Sequence, residues 1–436
     1  MTDFARGLFG DTGITLDGVT PTMTNFVLDA ATDAAEWVFQ MPEAATITTI
    51  LFRYGLRTGT PPTFKASLQG VNNTTGAPNG TILGGGSPAS VTFTPPADAT
   101  WDGTIRAVTL DNSIALTRGQ LVAIVIAYDS GTIDGTNNSS YTTHITQLGP
   151  VHVRPYAIQN NAGSRAHQSE KAVFGLRSAS KTYGFPLKAY TTTLFDDADT
   201  PDEYAMRFNF DAGYGSTFTV AGGRLSWRVG AAALTSTLTL YDGTTALQTV
   251  TIDHSELTTS QNTERLCSFY FDEVTLSTLN FGSEYRLSLF LNSGGATGQD
   301  DALDTLEFET AGDLTCLPYG TQCYLSTRTD AGAWTDVPTR RPVMGLYLGD
   351  WTAGGAAQPR GAGAAAGEPG AALRKGVVTP QRTVAGAIFH HKPKKEIRSD
   401  ETLHPDKHRP APQRAGARRG RDARQRDAGR RRRGLS

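Results

Sequence analysis

One passage of this chain occurs twice, and that recurrence limits its fold more than any bulk property does. Residues Asn161–Leu176 read NAGSRAHQSEKAVFGL, and Asp330–Leu346 read DAGAWTDVPTRRPVMGL. Each has Ala-Gly, a polar and basic stretch, then a hydrophobic pair before Gly-Leu. The two differ in length by a single residue, as a loop insertion would produce. Four earlier pairs follow in the same order. DEYAMRFNF stands where AEWVFQM stood, GGRLSWRVG matches TTILFRYGL, and TLTLYDG matches FKASLQG. FDEVTLSTLNFGSEYRLSLFL answers IRAVTLDNSIALTRGQLVAIVI. Five matches in order indicate an internal duplication with a period of about 170 residues, too long for a solenoid.

The repeated unit reads as β. Apolar and polar residues alternate through its segments, no window keeps helical spacing, and Gly/Asn/Asp-rich stretches such as GVNNTTGAPNG separate the strands. In RLSWRVG, Leu225, Trp227 and Val229 fall on one face and Ser226 and Arg228 on the other. Gly119 and Gly282 supply the tight turns before the strands that follow them. The pattern predicts an all-β protein of two tandem β-sandwich domains, 25–181 and 189–351, after a lead-in at 1–24. Trp37 and Trp227 are expected in the cores. So are Val173, Phe174 and Leu176 of one closing strand and Val343, Met344 and Leu346 of the other.

Beyond Trp351 the composition shifts to Ala, Gly, Pro and Arg. Residues 352–436 hold 20 basic and 7 acidic side chains, a net of +13, against 20 and 35 in the rest, a net of −15. So few large apolar residues cannot offset ordering entropy, so a disordered basic tail is expected. Such a tail suits a solvated extension better than a nucleic-acid arm, since it lacks interleaved aromatics. GC-rich DNA read out of frame would give the same composition, and intact mass of the native protein separates the two. The longest apolar run, Leu121–Tyr128, is far short of the ~20 residues of a membrane span, and the N-terminus lacks a signal-peptide core. A soluble protein without membrane insertion is expected.

Catalytic signatures are absent from the sequence: no nucleophile elbow, phosphate loop, HExxH or strand-following GxGxxG occurs. His144, His152, His167 and His254 have no shared-metal spacing, and Cys267, Cys316 and Cys323 suggest separate thiols rather than a disulfide scaffold. A carboxylate pair could serve glycoside hydrolysis, but nothing selects one pair from 35 acids. A non-enzymatic protein without an obligatory cofactor is therefore expected. Two features could contact ligands. The run FDDADTPDEY offers Asp196, Asp197, Asp199 and Asp202 as oxygen ligands for calcium, with a solvated turn as the alternative; Asp29, Asp33 and Glu36 occupy the equivalent stretch of the first copy. Trp101 and Trp334 sit in turn-like settings where an exposed ring could stack on a sugar, or anchor its own loop.

Tandem β-domains rich in Gly, Thr, Asn and Ala, with closures such as TRTDAGAWTDVPTRRPVMGL, resemble virion structural proteins of tailed bacteriophages, of tail, baseplate or head-fibre type. The resemblance covers residues 1–351. It implies jelly-roll-like sandwiches, location in a virion, other virion proteins as partners, a homo-oligomeric state and contact with host-surface glycans. A carbohydrate-binding adhesin or accessory module of a bacterial surface protein or enzyme is the alternative.

Overall fold

Strand formation follows the alternation of the sequence in many of the described segments. The computed structural model describes residues 7–9 and 21–352, except 147–154, 169, 196–198, 200, 210–216, 229–233, 257–264, 278–283, 293–300 and 318–319. Strand β1 (Gly7–Phe9) comes first. The first repeat begins with β2 (Met23–Leu28), β3 (Ala34–Gln40), β4 (Ala45–Thr58), β5 (Thr63–Val71), β6 (Pro78–Ile82) and β7 (Ser90–Phe93). It continues through β8 (Ile105–Leu116), β9 (Leu121–Ser130), β10 (Asn138–Ile145) and β11 (Tyr156–Asn161). Strands β12 (Ser164–Gln168), β13 (Lys171–Ala172), β14 (Phe174–Arg177) and β15 (Thr182–Phe185) end it. The second repeat has β16 (Leu187–Phe195), β17 (Glu203–Phe208), β18 (Thr217–Arg228), β19 (Thr235–Asp242), β20 (Thr245–Asp253) and β21 (Arg265–Ser277). It closes with β22 (Tyr285–Leu291), β23 (Asp301–Phe308), β24 (Cys323–Arg328), β25 (Thr335–Val337), β26 (Arg340–Pro342) and β27 (Met344–Thr352).

The two repeats share one topology. One sheet of the first runs β12-β11-β3-β9-β5-β6, and its counterpart in the second runs β25-β24-β17-β22-β19-β20. In the facing sheet, β10 pairs with β2, β4 and β13, and β4 pairs with β8 and β14. Correspondingly, β23 pairs with β16, β18 and β26, and β18 pairs with β21 and β27. The chain crosses between sheets at most steps, in the manner of a jelly roll. The duplication read from five sequence echoes is thus a duplication of strand pairing, and the fold is two jelly-roll-like β-sandwiches.

Each sandwich encloses its own core. Trp37, Phe52, Tyr54, Phe64, Ile124, Phe174 and Leu176 are among the buried residues of the first; Met206, Trp227, Leu287, Leu289, Met344 and Leu346 are among those of the second. The expected core residues of both closing strands are all buried. Gly119 makes its turn with φ 81°, whereas Gly282 and Val229 lie outside the described residues.

The expected boundaries need correction. Residues 182–188, which fall between the two expected domains, belong to strands: β15 and β16 occupy them and only Pro186 stands between. Proline lacks the N–H that would continue the ladder, so the strand breaks there. The lead-in at 1–24 is not outside the sandwiches either. Met23 opens β2, and β1 pairs antiparallel with β27, the closing strand of the second repeat. This place is the one β15 takes beside β14: Phe9 stands opposite Leu346 as Tyr183 stands opposite Leu176. An open edge of N–H and C=O groups needs cover, and each repeat finds it in a strand from outside the shared pattern.

Ser226 also departs from expectation. Its side chain is fully buried and donates to the Asp304 carboxylate, which also accepts from Thr192 Oγ1 at 2.8 Å. Asp304 shares its side of β23 with Leu306 and Phe308, and that side faces the other sandwich rather than water. Leu306, Phe308, Leu314, Leu317 and Val343 pack there with Ile145, Val173 and Phe185 of the first repeat and with Leu187. Both sandwiches accordingly belong to one compact unit, Met1–Gly363. Among the described residues, no helix is long and apolar enough to cross a membrane. The basic tail from 353 onward lies outside the described residues.

Candidate functional site

The loop singled out by its tryptophan is fastened by an aspartate that both copies retain. Asp33, just before β3, accepts the Ala162 N–H at 2.9 Å; Asp202, just before β17, accepts the Asp330 N–H at 3.0 Å. Ala162 has φ 49°, and Asp330 and Ala331 have φ 50° and 55°. Non-glycine residues reach that left-handed region only when the surroundings compensate, and the aspartate bond does so here. Asp202→Ala should cost about 1–2 kcal/mol through the orphaned N–H; urea unfolding measures it, and an unchanged midpoint would contradict the anchoring role.

Beyond this turn the copies differ. The outward face of β22, β17 and β24 carries Ser288, Ala205 and Ser326 in register, all fully buried although they point away from the core. Trp334 reaches back over this face, its ring centre 4.4 Å from the Arg328 guanidinium, 5.1 Å from that of Arg286 and 5.9 Å from the Tyr241 ring. In the first repeat the corresponding face packs Ala77 against Val38, Ala123 and Ile158, and Tyr156 donates to the Gly76 carbonyl at 2.5 Å. There the cover comes from the loop between β5 and β6.

Charge around Trp334 is paired within the cluster. Arg328 bonds Glu203 at 2.5 Å, Arg286 bonds Glu284 at 2.7 Å and Asp336 at 3.3 Å, and Arg207 bonds Glu284 at 2.8 Å. Burial works to lower the Arg328 guanidinium, but Glu203 and Tyr241 outweigh it and hold it above its ordinary range. The Glu284 carboxyl is held below the usual carboxylate range first by its bond from Arg286. Three guanidiniums facing three carboxylates leave no net charge to recruit an anion. The ring is half-buried against these cations, which makes it a loop anchor. Trp334→Ala should destabilise the protein by about 2 kcal/mol through lost cation–π and ring contacts, read as a lowered midpoint in urea; a loss below a few tenths would refute the anchor.

Trp101 is anchored as well. It ends a short 3-10 turn, Ala99–Trp101, capped by Asp98. Its ring meets Tyr54 edge-on at 5.8 Å and Phe93 at 6.2 Å, with Arg106 over it at 4.9 Å. The two tryptophans are therefore not brought together: each belongs to its own sandwich. Of the aspartates, Asp202 is buried and occupied by its loop, Asp199 stands in an exposed bend, and Asp196 and Asp197 lie outside the described residues. No group of three or more potential metal ligands occurs among the described residues.

Tertiary structure also joins residues the sequence kept apart. Ser236 Oγ lies 2.8 Å from His254 Nε2 and donates to Asp301 at 2.5 Å. All three are buried in the second sandwich. In a hydrolase triad the histidine stands between the other two; here the serine does, sealed from substrate, so the arrangement satisfies polar groups in a core. The thiols of Cys316 and Cys323 are pushed up to about 12 and about 11 by burial, which makes both poor nucleophiles. No disulfide joins any of the three cysteines.

An exposed tyrosine stacked on a half-buried one lies elsewhere, and the sequence reading passed over the pair. Tyr270 on β21 and Tyr347 on β27 flank Gly222 on β18, and their rings stack at 5.3 Å with planes 15° apart. Only cross-strand register reveals this, because the two tyrosines are far apart along the chain.

The fold and these surfaces define a class: a tandem jelly-roll-like β-sandwich protein with one continuous junction. Compared with models of known families, with curated proteins and with solved structures, the chain matches none.

Proposed function

We propose that this protein is a non-enzymatic structural component of a tailed-phage particle, with other virion proteins and further copies of itself as partners. The observation that supports this reading best is the junction between the sandwiches. A module that bears load must not hinge, and here nine buried apolar side chains, Ile145 to Val343, close the space between two domains. A single residue, Pro186, separates the last strand of one from the first of the other. Polar bonds reinforce the apolar contact: Arg177 meets Asp313 at 2.6 Å, and Arg53 donates to the Lys188 carbonyl at 2.8 Å. Domain interfaces that permit motion are more polar than this.

Mass spectrometry of purified particles from the producing host tests the proposal. The protein should be present at stoichiometric copy number, and absence from particles that contain the other structural proteins overturns it. Glycan contact at a host surface is the second activity we propose, favoured by the stack of exposed Tyr270 on Tyr347.

A further inference from the structure

We infer that the Tyr270–Tyr347 stack is the contact surface for a neutral pyranose ring of a glycan; this rests on the glycan-contact reading just given. Large aromatic side chains bury most of their area in folded proteins. Tyr270 is 53% exposed and is one of only three large hydrophobic residues so exposed among the described residues. Its ring is nevertheless held in place, stacked on Tyr347, whose hydroxyl lies 2.6 Å from Ser268 Oγ. A ring already ordered loses little side-chain entropy when a ligand settles on it.

The backbone beneath makes room for the pair. Gly222 stands between the two tyrosines in register, and Gly345 lies two pairs further along, opposite Arg224. A Cβ at Gly222, where φ is 159°, would meet the Phe269 carbonyl oxygen at 2.1 Å, so the position admits no side chain that could fill the space between the rings. The result is an apolar shelf on the outward face of a sheet.

Polar groups stand around this shelf. Arg224 is next to Gly222 on the same face of β18, opposite Ser268, and the exposed Asp272 follows Tyr270 on the same face of β21. The exposed Glu273 comes next, at the register shift between Val220 and Gly222. One cation and two carboxylates offer a donor and several acceptors for vicinal hydroxyls, while the carboxylates repel acidic sugars. A stack with hydroxyl-binding groups at its margin matches a ring that is apolar on its faces and polar at its rim. In the first repeat Arg177 holds the place of Tyr347 and pairs with Asp313 across the junction.

An array of neutral hexose, N-acetylhexosamine and uronic-acid oligosaccharides, probed with the full chain, tests this. The parent protein should bind at least one neutral glycan, and Tyr270→Ala should weaken that binding at least tenfold. Tyr270→Thr keeps a strand-forming side chain without the ring, and should lose binding equally with a melting temperature close to the parent's. Trp334→Ala should bind as the parent does. If both Tyr270 variants bind normally, the assigned site is wrong while glycan contact stands. Binding confined to acidic glycans overturns the ligand class, and no binding by the parent overturns glycan contact itself.

Discussion

Truncating Phe308 to alanine should lower stability by about 3–5 kcal/mol, the range for a buried phenylalanine removed from a packed site. Phe308 is 1% exposed and meets the Phe185 ring edge-on at 5.8 Å across the junction. Its strand neighbour in register is Leu187, the first residue after the proline that divides the repeats. The cavity would open where the two sandwiches touch, not inside either core. Calorimetry should therefore show more than a lower midpoint: one cooperative transition should divide into two as the sandwiches cease to unfold together. A single transition shifted by less than 1 kcal/mol would mean that the junction contributes little to coupling.

Asp313→Ala should cost about 3 kcal/mol. The aspartate is fully buried in the 3-10 turn Ala311–Cys316. Its Oδ1 accepts from Arg177 at 2.6 Å and from Thr182 Oγ1 at 3.2 Å, both in the first repeat. Its Oδ2 accepts from the Thr310 N–H at 3.2 Å and Oγ1 at 3.0 Å, closing a capping box at the start of its own turn. Removing one member of a buried ion pair costs about 3–5 kcal/mol when the survivor stays buried. The Arg177 side chain is 32% exposed and partly recovers water, which puts the loss near the lower end. Asp313→Asn retains an acceptor for the cap and should lose about half as much. Urea unfolding of both variants measures the difference, and equal small losses would show that the bond across the junction is incidental.

The two predictions concern residues that the sequence did not single out. Phe308 lies in a stretch that none of the five echoes covers, and what packs against its side chain cannot be read from its own strand. Asp313 stood in no motif at all. Trp334 and Trp101 were legible as aromatics in loops, yet whether a ring is free or clamped depends on what folds beneath it. For Trp334 the decisive groups are Arg286 and Arg328, which the sequence shows only as alternating polar positions on two strands. The recurrent Ala-Gly pair was visible from the start, whereas its fastening by Asp33 and Asp202 was not, because those residues lie more than a hundred positions upstream.

What the amino-acid order determines by itself is everything written along a single strand. Period-two alternation assigns one face to each core, and five ordered echoes assign the same architecture twice, because burial of a face is a local property of side-chain order. What only the tertiary structure decides is how those units meet. Backbone edges carry no residue code, so the choice of β1 to cover β27 and of β15 to cover β14 cannot be read from either strand. Outward faces carry no label for their cover, so Ser226 becomes buried while Tyr270 remains in water. Cross-strand register brings Tyr270 and Tyr347 together over Gly222, and register exists only once the sheet has formed.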